Sequence, residues 1–132
     1  MTQTLLYRGG SYENYAKMIE NGFDLSKIGK GWGLTLGPGV YLSRSRDEAL
    51  SYARDSKHVL EIPVENLNSF KLEKAYRVDS SKHRRKLEEI TQKAKDEGYN
   101  SLESWDGFET IIFPEFAQII LWELAEIIGV EP

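Results

Sequence analysis

One carboxylate stands out in this sequence because it begins an otherwise apolar strand pattern. Glu109 precedes Thr-Ile-Ile-Phe113 and follows a Trp-Asp-Gly turn. Packing in a core does not explain a carboxylate there, whereas an edge strand with Glu109 facing water would. Placed in a cleft, the same carboxylate could stabilise a cationic transition state, such as that of glycosidic bond cleavage.

Two further features have residue types that suit a nucleotide. Tyr41 and Tyr52 are eleven residues apart and could stack on a planar ligand, although core packing is the more common role of such aromatics. Arg8 precedes Gly9 and Gly10. Its planar guanidinium could donate two hydrogen bonds to a phosphate, or it could be a solvated charge.

The segment 23–39 is rich in glycine and long for a loop in a compact domain. It contains Gly29, Gly31, Gly33, Gly37 and Gly39, whose backbone could approach a phosphate closely. The spacing matches neither the P-loop nor the dinucleotide-binding fingerprint. We therefore treat it as a ligand loop of no assigned type.

A basic cluster lies at Lys82, Arg84, Arg85 and Lys86. These side chains could contact phosphate. Glutamates follow them in the same predicted helix, however, and that balance favours a solvated charged face.

Short, mixed elements must position these residues. The patterns predict strands at 4–8, 40–43, 58–64, 99–103 and 108–113. They also predict three helices. The first covers 12–21, the second begins after a capping box at Ser45 and runs to 54, and the third runs from Ser80 or Ser81 to 97. Segments 67–72 and 76–78 could pair as strands, and 117–128 fits either a buried strand pair or an apolar helix. This order predicts an α+β domain with an antiparallel core.

The composition limits the function further. Of 132 residues, 40% are hydrophobic and 29% are charged, which is typical of one soluble globular domain over 1–132. The chain has no cysteine, which excludes disulfides, iron–sulfur clusters and a cysteine nucleophile. A net charge of −4 weighs against general nucleic-acid binding. No membrane-length apolar run and no secretory signal is visible, so we expect a cytoplasmic protein without a membrane partner.

Taken in order, the motifs resemble the ADP-ribosyltransferase superfamily, in particular its poly(ADP-ribose) polymerase and diphtheria-toxin branch. The resemblance covers nearly the whole chain. It rests on Leu6-Tyr7-Arg8-Gly9-Gly10, Gly37-Pro-Gly-Val-Tyr41-Leu-Ser43, Ala49-Leu-Ser-Tyr52-Ala53 and Glu109-Thr-Ile-Ile-Phe-Pro-Glu-Phe-Ala-Gln118.

The resemblance implies a split antiparallel β core of two small sheets with flanking helices, and NAD⁺ as co-substrate without a metal. Glu109 would be the catalytic glutamate, and Tyr41 and Tyr52 would sandwich the nicotinamide ring. Gly9 would hold the carboxamide through its backbone, with Arg8 and Ser43 also contacting NAD⁺. Segment 100–108 would meet the acceptor.

Three positions depart from the family pattern. Arg8 stands where this branch has histidine, which gives a mixed Arg-Tyr-Glu set. Ala49 stands near the place of a serine that bonds the carboxamide. Gly107 occupies the position where arginine-modifying toxins carry Glu or Gln, which argues against arginine as the acceptor.

These features together predict a mono-ADP-ribosyltransferase of phage or toxin type. We expect a protein acceptor, with a nucleic-acid acceptor kept open by the basic cluster. Two alternatives remain at this stage: a non-catalytic binding module on the same fold, and an NAD⁺ glycohydrolase that uses water as acceptor.

Overall fold

The computed structural model describes residues 2–10, 16, 20, 37, 39–53, 58–76 and 80–129. Strands are β1 Gln3–Gly10, β2 Val40–Ser43, β3 His58–Glu65, β4 Ser69–Lys71, β5 Ser101–Glu103, β6 Glu109–Ile112 and β7 Glu126–Gly129. Helices are α1 Arg46–Ala53 and α2 Ser81–Asp96, followed by 3₁₀ helices at Pro114–Ile119 and Trp122–Leu124. Of the predicted helix 12–21, only Ala16 and Glu20 are described, and both are helical.

The strands form one sheet in the order β4-β5-β6-β2-β1-β3-β7. Five of the six pairings are antiparallel, and β4 pairs with β5 in parallel. The α+β class is therefore confirmed. The expected pair of separate, purely antiparallel sheets is corrected to one mixed sheet, because β4 is connected to β5 through α2, and such a crossover returns the chain in the same direction.

The sheet is nearly divided where β1 meets β2. Among the described residues, Tyr7 and Ser43 are the only paired positions of these two strands. By contrast, β1 pairs with β3 at eight positions and β2 with β6 at four. We call the Tyr7–Ser43 junction the seam. Beyond it, the Arg8–Gly10 end of β1 pairs with β3 and has no paired position on β2 among the described residues.

The two faces of the sheet bury separate cores. Partners directly across a ladder share a face, and neighbours along a strand alternate. The first face carries Leu6, Leu42 and Ile112, which belong to one buried cluster covered by the 3₁₀ helices. The second face carries Leu102 and Ile111, which pack in a second cluster against α2.

Local signals in the sequence explain where the helices begin. The Ser45 hydroxyl accepts a hydrogen bond from the Glu48 N–H at 3.3 Å, which confirms the predicted cap of α1. The Ser80 hydroxyl does the same for the His83 N–H at 3.4 Å. After α2, Gly98 has a φ of +94°, the left-handed conformation in which glycine ends a helix.

One expectation about connectivity is corrected, and another falls mainly on residues that the structure does not describe. β4 pairs with β5, because α2 places β5 beside it. Of the segment 76–78, expected to pair with 67–72, only Tyr76 lies within the described residues. Segment 117–128 is neither a strand pair nor an α-helix but two 3₁₀ helices and β7. Val64 bridges Ile120, and that contact interrupts any continuous helix. No helix among the described residues is long and apolar enough to cross a membrane.

Candidate active site

Three of the predicted site residues meet on the second face of the sheet. Ser43 on β2 pairs directly with Glu109 on β6, and Tyr41 pairs with Ile111. Directly opposed residues have Cβ atoms about 5 Å apart. Tyr41, Ser43 and Glu109 therefore form one cluster beside the seam.

A tight turn fixes the start of β6. The Ser104 hydroxyl accepts the Glu109 N–H at 3.0 Å, and the Ser104 N–H donates to the Glu109 carbonyl at 2.9 Å. The same hydroxyl donates to Asp106 Oδ1 at 2.6 Å. Gly107, with a φ of +80°, allows the turn to close. Both the N–H and the carbonyl of Glu109 are thus hydrogen-bonded to Ser104, which fixes the backbone at the start of β6.

Glu109 occupies an environment that disfavours its charge. Burial raises the pKa of Glu109, and the nearby Asp106 and Glu48 carboxylates raise it further. Among the described residues, Glu109 makes no ion pair. A half-buried carboxylate beside two others costs the fold stability, and such groups are common in functional sites.

The neighbouring carboxylate behaves in the opposite way. The hydrogen bond from Ser104, together with the Phe108 N–H, lowers the pKa of Asp106. Asp106 therefore remains charged over the pH range in which Glu109 resists ionisation. Two carboxyl groups with pKa values pushed in opposite directions are a common arrangement in acid–base and electrostatic catalysis.

Tyr41 is held by the glycines that precede it. Its hydroxyl donates to the Gly37 carbonyl, and its ring packs against the second core. Gly39 has a φ of +152°, and a Cβ there would lie 2.5 Å from Ile111 Cγ2. β2 thus approaches β6 closely at Gly39, and only glycine permits that approach.

The other predicted residues are placed differently. Arg8 pairs with Leu60, so strand alternation assigns it to the first face, opposite Glu109. Gly9 lies two residues past the seam on β1 and pairs with Val59 of β3. Tyr52 is in α1, but its side chain and the segment 21–36 lie outside the described residues. The NAD⁺ contacts of Arg8, Gly9 and Tyr52 stay predictions.

Sequence reasoning missed Tyr7. It pairs with Ser43 across the seam, on the same face as Glu109. Burial and the Glu61 carboxylate raise the pKa of Tyr7. The alternation of Leu6, which is fully buried, with Tyr7 is the signal that could have found it.

The turn before Glu109 presents aromatic surface to solvent. Trp105 is 54% exposed and Phe108 is 50% exposed. Large apolar side chains at that exposure are often used for binding. The turn belongs to the segment 100–108, for which the resemblance implies contact with an acceptor.

No protein-family model matches the chain, and no curated protein is similar to it in sequence. Within the described ranges, no group of three or more His, Asp or Glu side chains could hold a metal ion. The assignment of a function therefore depends on the residues and their geometry.

Proposed function

We propose that this chain is a mono-ADP-ribosyltransferase that cleaves the nicotinamide–ribose bond of NAD⁺ and transfers ADP-ribose to a macromolecule. The observation that carries the proposal is the placement of Glu109. It is half-buried, has no cationic partner among the described residues, and lies across from Ser43 on the face that also carries Tyr41.

Glu109 suits this reaction because cleavage of the bond builds positive charge on the ribose. A carboxylate that binds this charge more strongly in the transition state than in the ground state accelerates the step. Asp106 and Glu48 add negative potential at the same place, as their effect on the Glu109 pKa shows. The potential that makes Glu109 costly in the free protein would thus favour the transition state.

The seam would be the place for the dinucleotide. Among the described residues, β1 and β2 are paired only at Tyr7 and Ser43. Tyr41 on β2 would lie against the nicotinamide ring. Gly9 on β1 would offer backbone groups to the carboxamide.

Two observations favour transfer over the alternatives. The exposed Trp105 and Phe108 beside Glu109 offer a docking surface that a glycohydrolase, which uses water, does not need. A non-catalytic module would have no use for an uncompensated carboxylate, because replacing it by glutamine would stabilise such a fold. The first observation supports a macromolecular acceptor, and the second supports a catalytic role for Glu109.

The experiment that tests the proposal measures nicotinamide release from NAD⁺ by wild type and Glu109→Gln, each with and without cell lysate. We expect release that requires both Glu109 and lysate. Thermal melting of the variant verifies that it folds. Equal turnover in the variant would remove Glu109 from the mechanism, and release without lysate would favour the glycohydrolase.

A further inference from the structure

A basic groove lies outside the Glu109 cluster, between α2 and the segment that follows β4. It has a volume of about 510 Å³. Four cations line it, and we define the basic groove by them together with one aromatic ring: Lys74, Tyr76, Lys82, Arg85 and Lys86. Among the described residues, Glu89 is the one acidic residue in its lining, although the chain as a whole carries a net charge of −4.

The cations of the basic groove are poorly compensated by the protein. Among the described residues, Lys82 and Arg85 form no ion pair. Lys86 lies 4.0 Å from Glu89, with both side chains more than half exposed, and pairs of that kind contribute little. Lys74 lies 5.6 Å from the centre of the Tyr76 ring. The groove therefore keeps a positive potential for an external anion.

The spacing of these cations does not help the helix. Lys82 precedes Arg85 by three residues and Lys86 by four. Like charges at these separations repel and destabilise a helix. Glu88 and Glu89 lie three and four residues after Arg85 and offset part of this repulsion, whereas Lys82 has no acidic residue at those separations within α2. Lys82 is therefore the cation of the groove that the helix itself explains least.

The topology brings this groove to the end of the sheet where Glu109 lies. β4 and β5 run parallel, and β6 and β5 run antiparallel. The end of β4, the start of α2 and the start of β6 consequently lie at the same end of the sheet. With adjacent strands about 4.8 Å apart, β4 lies about 10 Å from β6.

The turn before Glu109 lies beside the end of β4, the strand that leads into the groove. Lys71 Nζ on β4 lies 3.9 Å from the point that a Cβ on Gly107 would occupy. The exposed Trp105 and Phe108 flank this glycine. Cations that follow a phosphate backbone, combined with aromatic rings for bases, are the usual features of single-strand binding.

We infer that the basic groove binds a single-stranded nucleic acid and presents it to Glu109 as the acceptor of ADP-ribose. This inference rests on the proposed function. An acceptor oxygen or nitrogen would form a bond to the ribose C1 as the C1–nicotinamide bond breaks. Nicotinamide leaves with that bonding pair, and the acceptor's proton passes to Glu109 or to water. NAD⁺ and the acceptor thus give ADP-ribosylated nucleic acid, nicotinamide and one proton.

Binding is tested first, without NAD⁺. The probe is a fluorescein-labelled single strand of about twelve nucleotides, within the site sizes of ordinary single-strand binders. Fluorescence anisotropy is measured against salt for wild type and for the double variant Lys82→Gln/Arg85→Gln. The matched control is Arg84→Gln, which removes a charge on α2 that does not line the groove.

We expect the double variant to bind more weakly and to reduce the slope of log K against log salt by about 1.4, because each lost phosphate contact removes about 0.7 on a single strand. Its Tm should equal or exceed that of wild type, since like-charge repulsion is relieved. If Arg84→Gln loses as much affinity for the oligonucleotide as the double variant, the groove is not the binding site. If a poly-glutamate peptide binds as tightly as the oligonucleotide, the ligand is an acidic protein and not a nucleic acid.

Transfer is tested next with NAD⁺ labelled in its adenylate and the same oligonucleotide, while nicotinamide release is measured in parallel. Label on the oligonucleotide that depends on both Glu109 and Lys82/Arg85 supports the inference. Nicotinamide release with lysate but no label on a bound oligonucleotide overturns the acceptor and leaves the proposed function intact. If nicotinamide is not released under any condition, the proposed function is overturned. Binding in the groove is still judged separately, by the anisotropy measurement.

Discussion

Two glutamates lie at the same end of the sheet, on adjacent strands and opposite faces. Glu103 on β5 is 16% exposed and is paired with Arg44 at 3.0 Å and with Lys71 at 3.4 Å. Glu109 on β6 is half-buried and is surrounded by the carboxylates of Asp106 and Glu48.

The difference separates a carboxylate that serves the fold from one that serves chemistry. Arg44 joins Glu103 to Thr110 at 2.7 Å and to Ser69 at 3.2 Å, so its guanidinium connects β2, β4, β5 and β6. No comparable network forms around Glu109 within the described ranges. Arg44 and Lys71 compensate Glu103 on one face of the sheet, whereas no cation among the described residues compensates Glu109 on the other. A carboxylate left in that state is a candidate for a role that requires its charge.

The largest effect should come from replacing each glutamate by glutamine in turn. Glu109→Gln should reduce nicotinamide release from NAD⁺ by about 10²–10³-fold, the usual loss of an electrostatic group in an active site. Glu103→Gln should retain most of the rate and lose stability instead. The comparison is made by measuring initial rates and urea unfolding for both variants. If both variants lose the same fraction of the rate, Glu109 and Glu103 do not differ in their roles.

The second effect concerns Arg44. Arg44→Met should lower the free energy of unfolding by about 2 kcal/mol, because it leaves the fully buried Thr110 without its charged partner and Glu103 with Lys71 alone. Lys71→Gln is the matched control, since Lys71 is largely exposed and should contribute less than about 1 kcal/mol. Similar values for the two variants would show that Arg44 does not organise this face.

A smaller effect should separate the ring of Tyr41 from its hydroxyl. Tyr41→Phe removes the hydrogen bond to the Gly37 carbonyl and should cost about 1 kcal/mol of stability. It should leave NAD⁺ affinity nearly unchanged, whereas Tyr41→Ala should weaken it, as measured by calorimetry. An unaltered dissociation constant in Tyr41→Ala would remove the stacking role.

The smallest effect is a pH dependence of stability. The pKa of Glu109 is raised above its ordinary value of 4.5, so ionisation of this group destabilises the folded state. Below pH 4.5, wild type and Glu109→Gln should melt alike. As pH rises through the raised pKa, wild type should lose stability relative to the variant. A variant less stable than wild type at pH 7 would contradict this sign.

Much of the fold follows from local pattern. The bounds of β2 and the caps at Ser45 and Ser80 depend on residues close in sequence, and the structure confirms them. Glu109 was identifiable because it breaks an apolar run. The cluster of Tyr41, Ser43 and Glu109 follows from pairing of β2 with β6, which no local pattern specifies.

The remainder depends on contacts between distant residues. Arg44 meets Thr110 across 66 positions, and no periodicity marks such a pair. The 3₁₀ helices at Pro114–Ile119 and Trp122–Leu124 replace a regular element because tertiary contacts, including the Val64–Ile120 bridge, override propensity. The face of Arg8 follows from its register with Leu60, which only the paired strands reveal.

The seam also sets how the molecule can deform. Its one backbone pair is reinforced by the first core, in which Leu6, Leu42 and Ile112 from three strands pack with almost no exposure. Apolar packing has no preferred direction, whereas a ladder of hydrogen bonds needs alignment. Separation of β1 from β2 would therefore break one backbone pair and the packing of these side chains. Glu109 would keep its place in the four-position ladder of β2 and β6.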